Sequence, residues 1–181
     1  MTCYLIRHGK DDDSVRGGWS ESLLTDEGIT QVHKLAASMS SLSISNILTS
    51  DLPRARQTAE IISNQLGVPV IPRSEFRETN NGVLAGMKNE LANVLYPGLY
   101  WSTLDWEESY PGGESPKSFF ERIYKAWKNL KAEMDGQQNN FVLVTHTGVI
   151  NAILCIENNV TFTNKTLHFP SKNAEMIAIE I

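Results

Sequence analysis

Cysteine is scarce in this chain, and long apolar stretches are missing. Its 181 residues include only two cysteines, Cys3 and Cys155, and neither lies in a Cys-x-x-Cys pair or at a Cys/His ligand spacing. The sequence therefore gives no support to a disulfide scaffold or a cysteine zinc site. No apolar run approaches the roughly 20 residues that span a bilayer, and the first run ends at Arg7, which argues against a signal peptide. We expect two buried free thiols in a cytoplasmic protein that does not enter membranes.

The chain also has no excess of basic residues. Lys and Arg number 16 against 21 Asp and Glu, which gives a formal net charge of -5 at pH 7. This charge argues against nucleic acid or an anionic membrane surface as a partner. It does not exclude an anionic substrate, because a local cluster of cations can occur on an acidic protein. The length is most simply that of one domain, residues 1–181, whose oligomeric state the sequence leaves open.

Strands and helices alternate along the chain. Apolar runs predict strands at 4–6, 44–49, 68–71, 141–145 and 175–181, and helical periodicity predicts helices at 25–39, 50–66, 115–134 and 148–156. Ser50 or Asp51 is expected to cap the second helix. The alternation predicts a three-layer α/β/α sandwich with a mostly parallel central sheet. The irregular segment at about 79–116 is expected to be a flap or insertion.

Polar residues follow three of the predicted strands, where each strand gives way to a loop or helix. Arg7, His8 and Gly9 follow the first strand, Arg54 lies in the first turn after the second, and His146 follows the strand at 141–145. In open α/β sheets, ligands bind beyond the carboxyl ends of the strands. We therefore expect two arginines and two histidines at one edge of the sheet.

These residue types are suited to phosphate chemistry. A guanidinium offers a planar fork of donors that matches phosphate oxygens, and an imidazole can act as a nucleophile or base near neutral pH. A helix N-terminus, where Arg54 is predicted, also favours an anion. The simpler alternative is that the first strand merely ends in two polar residues, and only the three junctions together favour a phosphate site.

An ordered set of motifs runs nearly from end to end of the chain. The set comprises LIRHG at 5–9, LLTDEG at 23–28, SDLPRARQTAEI from Ser50, RETNNG at 77–82, PGGES at 111–115 and VTHTGVI at 144–150. On these motifs the chain resembles the histidine phosphatase superfamily, also called the phosphoglycerate mutase-like family. The resemblance implies the corresponding α/β fold and phosphoryl transfer that needs no metal and no cofactor.

The resemblance also implies a role for each catalytic candidate. His8 would attack phosphorus and become a phosphohistidine, with Arg7, Arg54 and His146 around the phosphoryl oxygens. Glu78 would protonate the leaving group and then help to deprotonate water. Glu75 is a competitor for that role, and the structural alternative for Glu78 is a loop carboxylate that holds Arg77. Further contacts to phosphate or substrate are expected from Gly9, Arg16, Gly18, Trp19, Thr147 and Gly148.

The chain departs from the family pattern after the first motif. Lys10 is followed by Asp11, Asp12 and Asp13, and the loop that leads to Leu24 is shorter than in many relatives. Both departures count against a glycolytic mutase. The aspartates admit three interpretations: a solvated loop, a metal site, or a cluster that repels polyanionic substrates.

The predicted flap is rich in aromatic residues, which could wall the substrate or form the flap's own small core. These residues are Tyr100, Trp101, Trp106 and Tyr110. The favoured function is a cytoplasmic, metal-independent phosphomonoesterase that acts on a small phosphorylated metabolite. The alternatives are a phosphoglycerate mutase, a phosphohistidine protein phosphatase, and a relative that binds a phosphorylated ligand without turnover.

Overall fold

A computed structural model describes all residues from 1 to 181 and contains one five-stranded sheet. The strands are β1 (Thr2–Arg7), β2 (Ile44–Thr49), β3 (Val70–Pro72), β4 (Asn140–Thr145) and β5 (Met176–Glu180). The helices are α1 (Asp26–Ser38), α2 (Pro53–Leu66), α3 (Asn89–Leu95), α4 (Pro116–Met134) and α5 (Thr147–Glu157), with short 3₁₀ turns at Ser74–Phe76 and Gly82–Leu84. The predicted alternation of strands and helices is confirmed.

The sheet has the order β3-β2-β4-β1-β5. Four strands run parallel, and only β5 is antiparallel, paired with β1 at one edge of the sheet. One face packs against α1 and α2 through residues such as Val32 and Ile62, and the other packs against α4 and α5 through Trp127 and Ile153. The mostly parallel three-layer α/β/α sandwich is therefore confirmed. Parallel strands buried on both faces also explain why β1 and β4 are nearly continuous apolar runs.

Two of the long helices begin at a side-chain cap. Thr25 caps α1 by accepting from the Gly28 amide, and Ser115 begins α4 with a capping box. The cap predicted at Ser50 or Asp51 is wrong, because α2 begins after Leu52 and has no side-chain cap. The hydroxyl of Ser50 instead lies 2.8 Å from Nε2 of His146. Ser50 therefore contacts the histidine that follows β4 and does not cap α2.

The segment at 79–116 has a small apolar cluster of its own. Leu84, Ala92, Leu104 and Tyr110 form this cluster, and Trp101 packs against it. The two cysteines are free, and both belong to the core between the sheet and α4–α5. No helix has the length and apolar character needed to cross a membrane.

The capping box of α4 gives a direct test of the fold. Replacing Ser115 by Ala removes the acceptor for the Ser118 amide, 3.1 Å away, and should lower the free energy of unfolding by about 1 kcal/mol. For a chain of this size the melting temperature should fall by about 2–4 °C. Ser41→Ala, at an exposed serine, is the matched control in calorimetry. Equal melting temperatures for the two variants would contradict the assigned cap.

Candidate active site

The carboxyl end of β1 delivers His8 into a buried position. Arg7 pairs with Thr145 across the parallel β1–β4 ladder, and the His8 amide donates to the Thr145 carbonyl at 3.0 Å. The His8 residue is only 5% exposed. Gly9 follows because the chain here passes against α1: a Cβ at position 9 would lie 2.7 Å from the Gly28 carbonyl oxygen. Gly9 therefore provides room for the turn that orients His8.

The hydrogen bonds of His8 determine which ring nitrogen can react. Its Nδ1 lies 2.7 Å from the Gly9 carbonyl oxygen. A carbonyl can only accept, so Nδ1 carries the proton and Nε2 carries the lone pair. Burial lowers the pKa of His8 to about 3, and the positive charge of Arg54 adds to this effect. The imidazole is therefore neutral near pH 7, as a nucleophile must be.

Arg54 is placed beside that lone pair by the first turn of α2. Its Nε donates to His8 Nε2 at 3.3 Å, while its two Nη atoms donate to the carbonyl oxygens of Gly18 and Ser20. The side chain is 2% exposed. These contacts hold the guanidinium against the histidine and attach the first loop to the same point. Arg54 is thus oriented before any ligand arrives.

The second histidine meets the first at the end of β4. The ring centroids of His8 and His146 are 5.0 Å apart. Nε2 of His146 pairs with Ser50 Oγ, and its buried Nδ1 has no hydrogen-bond partner in the protein. Complete burial lowers the pKa of His146 well below its ordinary value, helped by the charge of Arg54. His146 is therefore a neutral ring with one unused nitrogen.

Arg7, the last residue of β1, adds a second guanidinium to this group. Its Nη1 donates to the Ser171 carbonyl at 2.6 Å, and its buried Nε has no acceptor in the protein. Unpaired buried polar atoms are uncommon and costly, by about 1–3 kcal/mol each. Two of them, on Arg7 and His146, lie on residues that flank His8. Such an arrangement is suited to an anion with several oxygens.

Glu78 reaches the same strand ends from the loop after β3. Its Oε2 accepts from the Gly148 amide at 3.1 Å, at the N-terminus of α5, and its Oε1 accepts from the Thr79 amide. A Cβ at position 148 would lie 2.4 Å from Oε1, so a side chain there would displace the carboxylate from this position. Glu75, the sequence competitor, instead pairs with the partly exposed Arg73.

The structural alternative for Glu78 does not fit the contacts. Arg77 makes a two-pronged ion pair with Asp51 at 2.5 and 2.6 Å, which leaves the Glu78 carboxylate directed elsewhere. The guanidinium of Arg77 also stacks over the Trp19 ring at 4.7 Å. Glu78 is consequently available for chemistry at the strand ends.

The three aspartates of the first loop are not equivalent. Oδ2 of Asp11 lies 3.4 Å from Arg54 Nε, and its Oδ1 is 4.0 Å from His8 Nδ1. Asp12 and Asp13 are exposed, and Asp12 only accepts from the Ser14 amide. The solvated-loop interpretation therefore applies to the second and third aspartates. The structure contains no group of three or more His, Cys, Asp or Glu residues arranged to hold a metal ion.

A cleft of about 540 Å³ adjoins this group. Glu78, Thr147 and Gly148 belong to its lining, whereas His8, Arg7, Arg54 and His146 do not; of these four, Arg7 is partly exposed and the other three are buried. The flap and the segment 162–167 supply much of the remaining lining. Its charged side chains other than Glu78 are two cations, Arg16 and Lys165. The cleft therefore brings two cations and the Glu78 carboxylate around one space.

The remaining predicted contacts divide into two groups. Arg16, Gly18, Thr147 and Gly148 line the cleft, and Arg16 stacks over the exposed Tyr100 ring at 4.4 Å. Trp19, for which a contact with phosphate or substrate was also predicted, is not among the residues that line the cleft. Its indole donates to the Glu78 carbonyl at 2.7 Å and so helps to hold the loop that carries Glu78.

The flap aromatics are divided between the lining of the cleft and the packing of the flap. Tyr100, Trp101 and Tyr110 line the cleft, and Tyr110 also belongs to the flap's own core. Trp106 is outside the cleft and packs near Phe120 and Phe162 instead. Three of the four aromatic residues can therefore contact a ligand.

Sequence reasoning missed several residues of this region. Ser171 holds Arg7 through its backbone carbonyl, so its side chain gave no signal. Residues 162–167, which line the cleft, lie in irregular structure between α5 and β5. Arg122 and Glu114, which pair behind Glu78, lie far from it in the chain. The PGGES motif at 111–115 includes Glu114 but gave it no role in the site.

Two histidines and two arginines therefore meet at the strand ends of an α/β sandwich, with a carboxylate beside them. A family model described as "Histidine phosphatase superfamily (branch 1)" matches residues 3–181. The chain therefore belongs to the histidine phosphatase superfamily, as the motif set predicted.

Relatives in this family carry two kinds of name. A protein named "Probable phosphoglycerate mutase GpmB" from Erwinia tasmaniensis is 31% identical over 159 residues, which is 85% of this chain and 73% of that protein. The solved alpha-ribazole phosphatase from Shigella flexneri has a TM-score of 0.87 at 26% identity, with 100% of this chain and 91% of that one covered. A mycobacterial glucosyl-3-phosphoglycerate phosphatase has a TM-score of 0.81 at 26% identity, with 99% and 89% covered.

The lowered pKa of His8 predicts how the site responds to acid. His8 should stay neutral as the pH falls through about 6.5, where an ordinary imidazole takes up a proton, because its own pKa is about 3. Since the unfolded chain binds that proton first, the free energy of unfolding should decrease as the pH falls below about 6.5. NMR titration of the imidazoles measures the first effect, and denaturant unfolding measures the second.

A matched pair of variants separates the causes of that shift. Arg54→Gln should raise the pKa of His8, because it removes a nearby positive charge. Arg56→Gln makes the same change on an exposed part of α2 and should leave the titration of His8 unaltered. A His8 ring that protonates near pH 6.5 in the unmodified protein would disprove the assigned environment.

The place of Asp11 predicts an effect on anion binding. Asp11→Asn removes a negative charge beside Arg54 and should strengthen inhibition by inorganic phosphate about tenfold, an order-of-magnitude expectation for a partly buried charge. Asp13→Asn, at an exposed neighbour, should have little effect and serves as the control. Equal inhibition constants for all three proteins would show that Asp11 does not oppose anion binding.

Proposed function

We propose that the protein is a metal-independent phosphomonoesterase that hydrolyses small phosphorylated metabolites through a phosphohistidine on His8. The observation that carries the proposal is a nucleophilic nitrogen that lies close to buried nitrogens with no hydrogen-bond partner in the protein. The Nε2 lone pair of His8 lies beside Arg54, and two buried nitrogens with no protein partner belong to Arg7 and His146. A phosphoryl group has the charge and the oxygens to occupy these groups.

In the first step, Nε2 of His8 attacks phosphorus and the bond to the ester oxygen breaks. Arg54, which donates to Nε2 in the free protein, can then donate to phosphoryl oxygens. Glu78, in its acid form, gives its proton to the departing oxygen, because an alkoxide is a poor leaving group. The hydrogen bond from Nδ1 to the Gly9 carbonyl holds the ring in the reactive tautomer throughout.

In the second step, water attacks the phosphohistidine. The Glu78 carboxylate takes a proton from the water, the P–N bond breaks, and its electron pair returns to Nε2 of His8. Inorganic phosphate leaves and Glu78 is again an acid. Splitting one difficult displacement into two easier ones is the gain from a covalent intermediate. The fixed cations supply most of the stabilisation, since phosphoryl transfer depends on positioning and electrostatics.

The cleft supports a small metabolite as the substrate. Its volume of about 540 Å³ is in the range of small-molecule sites. Its aromatic and cationic lining suits a compact phosphate ester better than a nucleic acid or a membrane surface. The two free buried thiols fit a reducing compartment, which supports the cytoplasm as the location.

Two alternatives compete with this proposal. The relative named as a phosphoglycerate mutase favours a reaction in which the phosphohistidine returns its phosphoryl group to a second hydroxyl. The solved phosphatases, which match 99–100% of this chain, favour transfer to water. A phospho-ligand binder without turnover would not need the nucleophile, the cations and the carboxylate together.

The deciding experiment measures phosphate release from a panel of sugar phosphates, phosphoglycerates, phosphoamino acids and an aryl phosphate, all in excess chelator. We expect turnover that survives the chelator, together with an acid-labile phosphoryl group on His8 after a rapid quench. His8→Ala should abolish both signals, whereas His33→Ala, at an exposed histidine, should abolish neither.

Each alternative has its own outcome in the same panel. Conversion of one phosphoglycerate isomer into another, without phosphate release, would favour the mutase. Retention of an intact ester with no turnover would favour the binder. Activity that the chelator removes would contradict the metal-independent mechanism.

A further inference from the structure

Arg122, on α4, lies behind the loop that carries Glu78 and is not part of the cleft lining. Its Nη1 donates to the carbonyl oxygens of Glu75 at 2.8 Å and Arg77 at 3.0 Å. Its Nη2 donates to the carbonyl oxygen of Glu78 itself at 3.1 Å. One side chain therefore holds three backbone carbonyls within a four-residue stretch that ends at the proposed acid.

Glu114 extends this contact to the other side of Glu78. Its two carboxylate oxygens accept from Arg122 Nε at 2.7 Å and Nη2 at 2.9 Å. The second oxygen, Oε2, also accepts from the Asn80 amide at 2.8 Å. The loop is thus attached before and after Glu78 by a single ion pair. Because both side chains are largely shielded from solvent, water weakens this pair less than it weakens a surface pair.

The contacts of Arg122 also exclude a direct role in binding substrate. A guanidinium has five N–H groups, and Arg122 makes five hydrogen bonds, three to carbonyls and two to Glu114. No donor remains for a phosphate. This contrasts with Arg7, whose buried Nε has no acceptor in the protein. The two arginines therefore have different tasks, and that of Arg122 is performed on the loop.

We propose that Arg122 and Glu114 form a clamp that positions the Glu78 carboxylate for proton transfer to the leaving group. The clamp acts through backbone that continues directly into the Glu78 side chain. Catalytic groups must be held to within about 0.5 Å of their working geometry, and the carboxylate's own contacts are the amides of Thr79 and Gly148. This inference rests on the proposed phosphatase function and adds positioning residues to it.

The leaving group distinguishes positioning from general structural support. An alkyl phosphate needs a proton on its departing oxygen, whereas 2,4-dinitrophenyl phosphate releases a stable anion without one. A clamp that acts through Glu78 is therefore needed for the first ester and largely dispensable for the second. Damage to the fold or to the phosphate site would reduce both reactions by the same factor.

The experiment compares kcat/KM for the best alkyl phosphate of the panel and for 2,4-dinitrophenyl phosphate. Arg122→Lys keeps the charge but cannot hold three carbonyls and a carboxylate, and Glu114→Gln removes the partner charge. We expect each to lower kcat/KM about 30-fold for the alkyl ester, which is part of the roughly 10²–10⁴-fold that general acid catalysis contributes, and by less than about threefold for the aryl ester. Lys128→Gln, at an exposed position on α4, is the matched control.

The loss in kcat/KM caused by Glu78→Gln is the largest that the clamp variants can cause through Glu78. The same variant tests whether the clamp acts through that residue. If the clamp acts through Glu78, adding Arg122→Lys to Glu78→Gln should cause no further loss with the alkyl ester, since residues that work as a unit are not additive. Equal losses on both esters, or full additivity in the double variant, would overturn the inference.

The failure of the underlying proposal gives a different result. If His8→Ala turned over substrate as fast as the unmodified protein, the phosphohistidine mechanism would be wrong, and the clamp proposal would fall with it. If Glu78→Gln reduced both esters equally, Glu78 would not be the acid, and the clamp proposal would be overturned while the His8 mechanism stood. If Arg122→Lys does not fold, Glu114→Gln, which leaves the carbonyl contacts in place, carries the same comparison.

Discussion

The parallel pairing of β1 with β4 is the constraint on which the site depends. The ladder puts Arg7 opposite Thr145, so the residues that follow the two strands, His8 and His146, emerge side by side. Their ring centroids are 5.0 Å apart although 138 positions separate them in the chain. A register shift of one residue would direct alternate side chains to the opposite face of the sheet. The register, more than any single contact, therefore creates the pair of histidines.

Backbone carbonyls, rather than carboxylates, hold most of the cationic groups in place. Arg54 donates to the carbonyls of Gly18 and Ser20, and Arg7 donates to that of Ser171. A carbonyl orients a guanidinium without cancelling its charge, so the field at His8 remains positive. Asp11 is the exception, as its carboxylate lies 3.4 Å from Arg54 Nε. The site thus combines fixed cations with a carboxylate, that of Asp11, which offsets part of the charge of Arg54.

The sequence was sufficient to predict the α/β sandwich and the polar residues that follow its strands. Apolar runs that end in a polar residue identified β1 and β4, and the motifs supplied Arg54 and Glu78. Ser171 could not be predicted, because its backbone carbonyl makes the contact and any residue type provides one. The cap of α2 was mispredicted because Ser50 contacts His146, a tertiary interaction that outweighs local preference. Asp11 could not be told from its neighbours because loop geometry alone separates them.

The carboxyl-terminal segment has a consequence for how the protein is made. β5 forms an edge of the sheet beside β1, the Ala174 amide donates to the carbonyls of Arg7 and His8, and the Ser171 carbonyl holds Arg7. During synthesis the first strand therefore leaves the ribosome long before the residues that complete its surroundings. An elongating chain can begin to collapse, but it cannot hold Arg7 in its final orientation. The surroundings of Arg7 and His8 should consequently be complete only after residues 171–180 have emerged, so shorter nascent chains lack the proposed site.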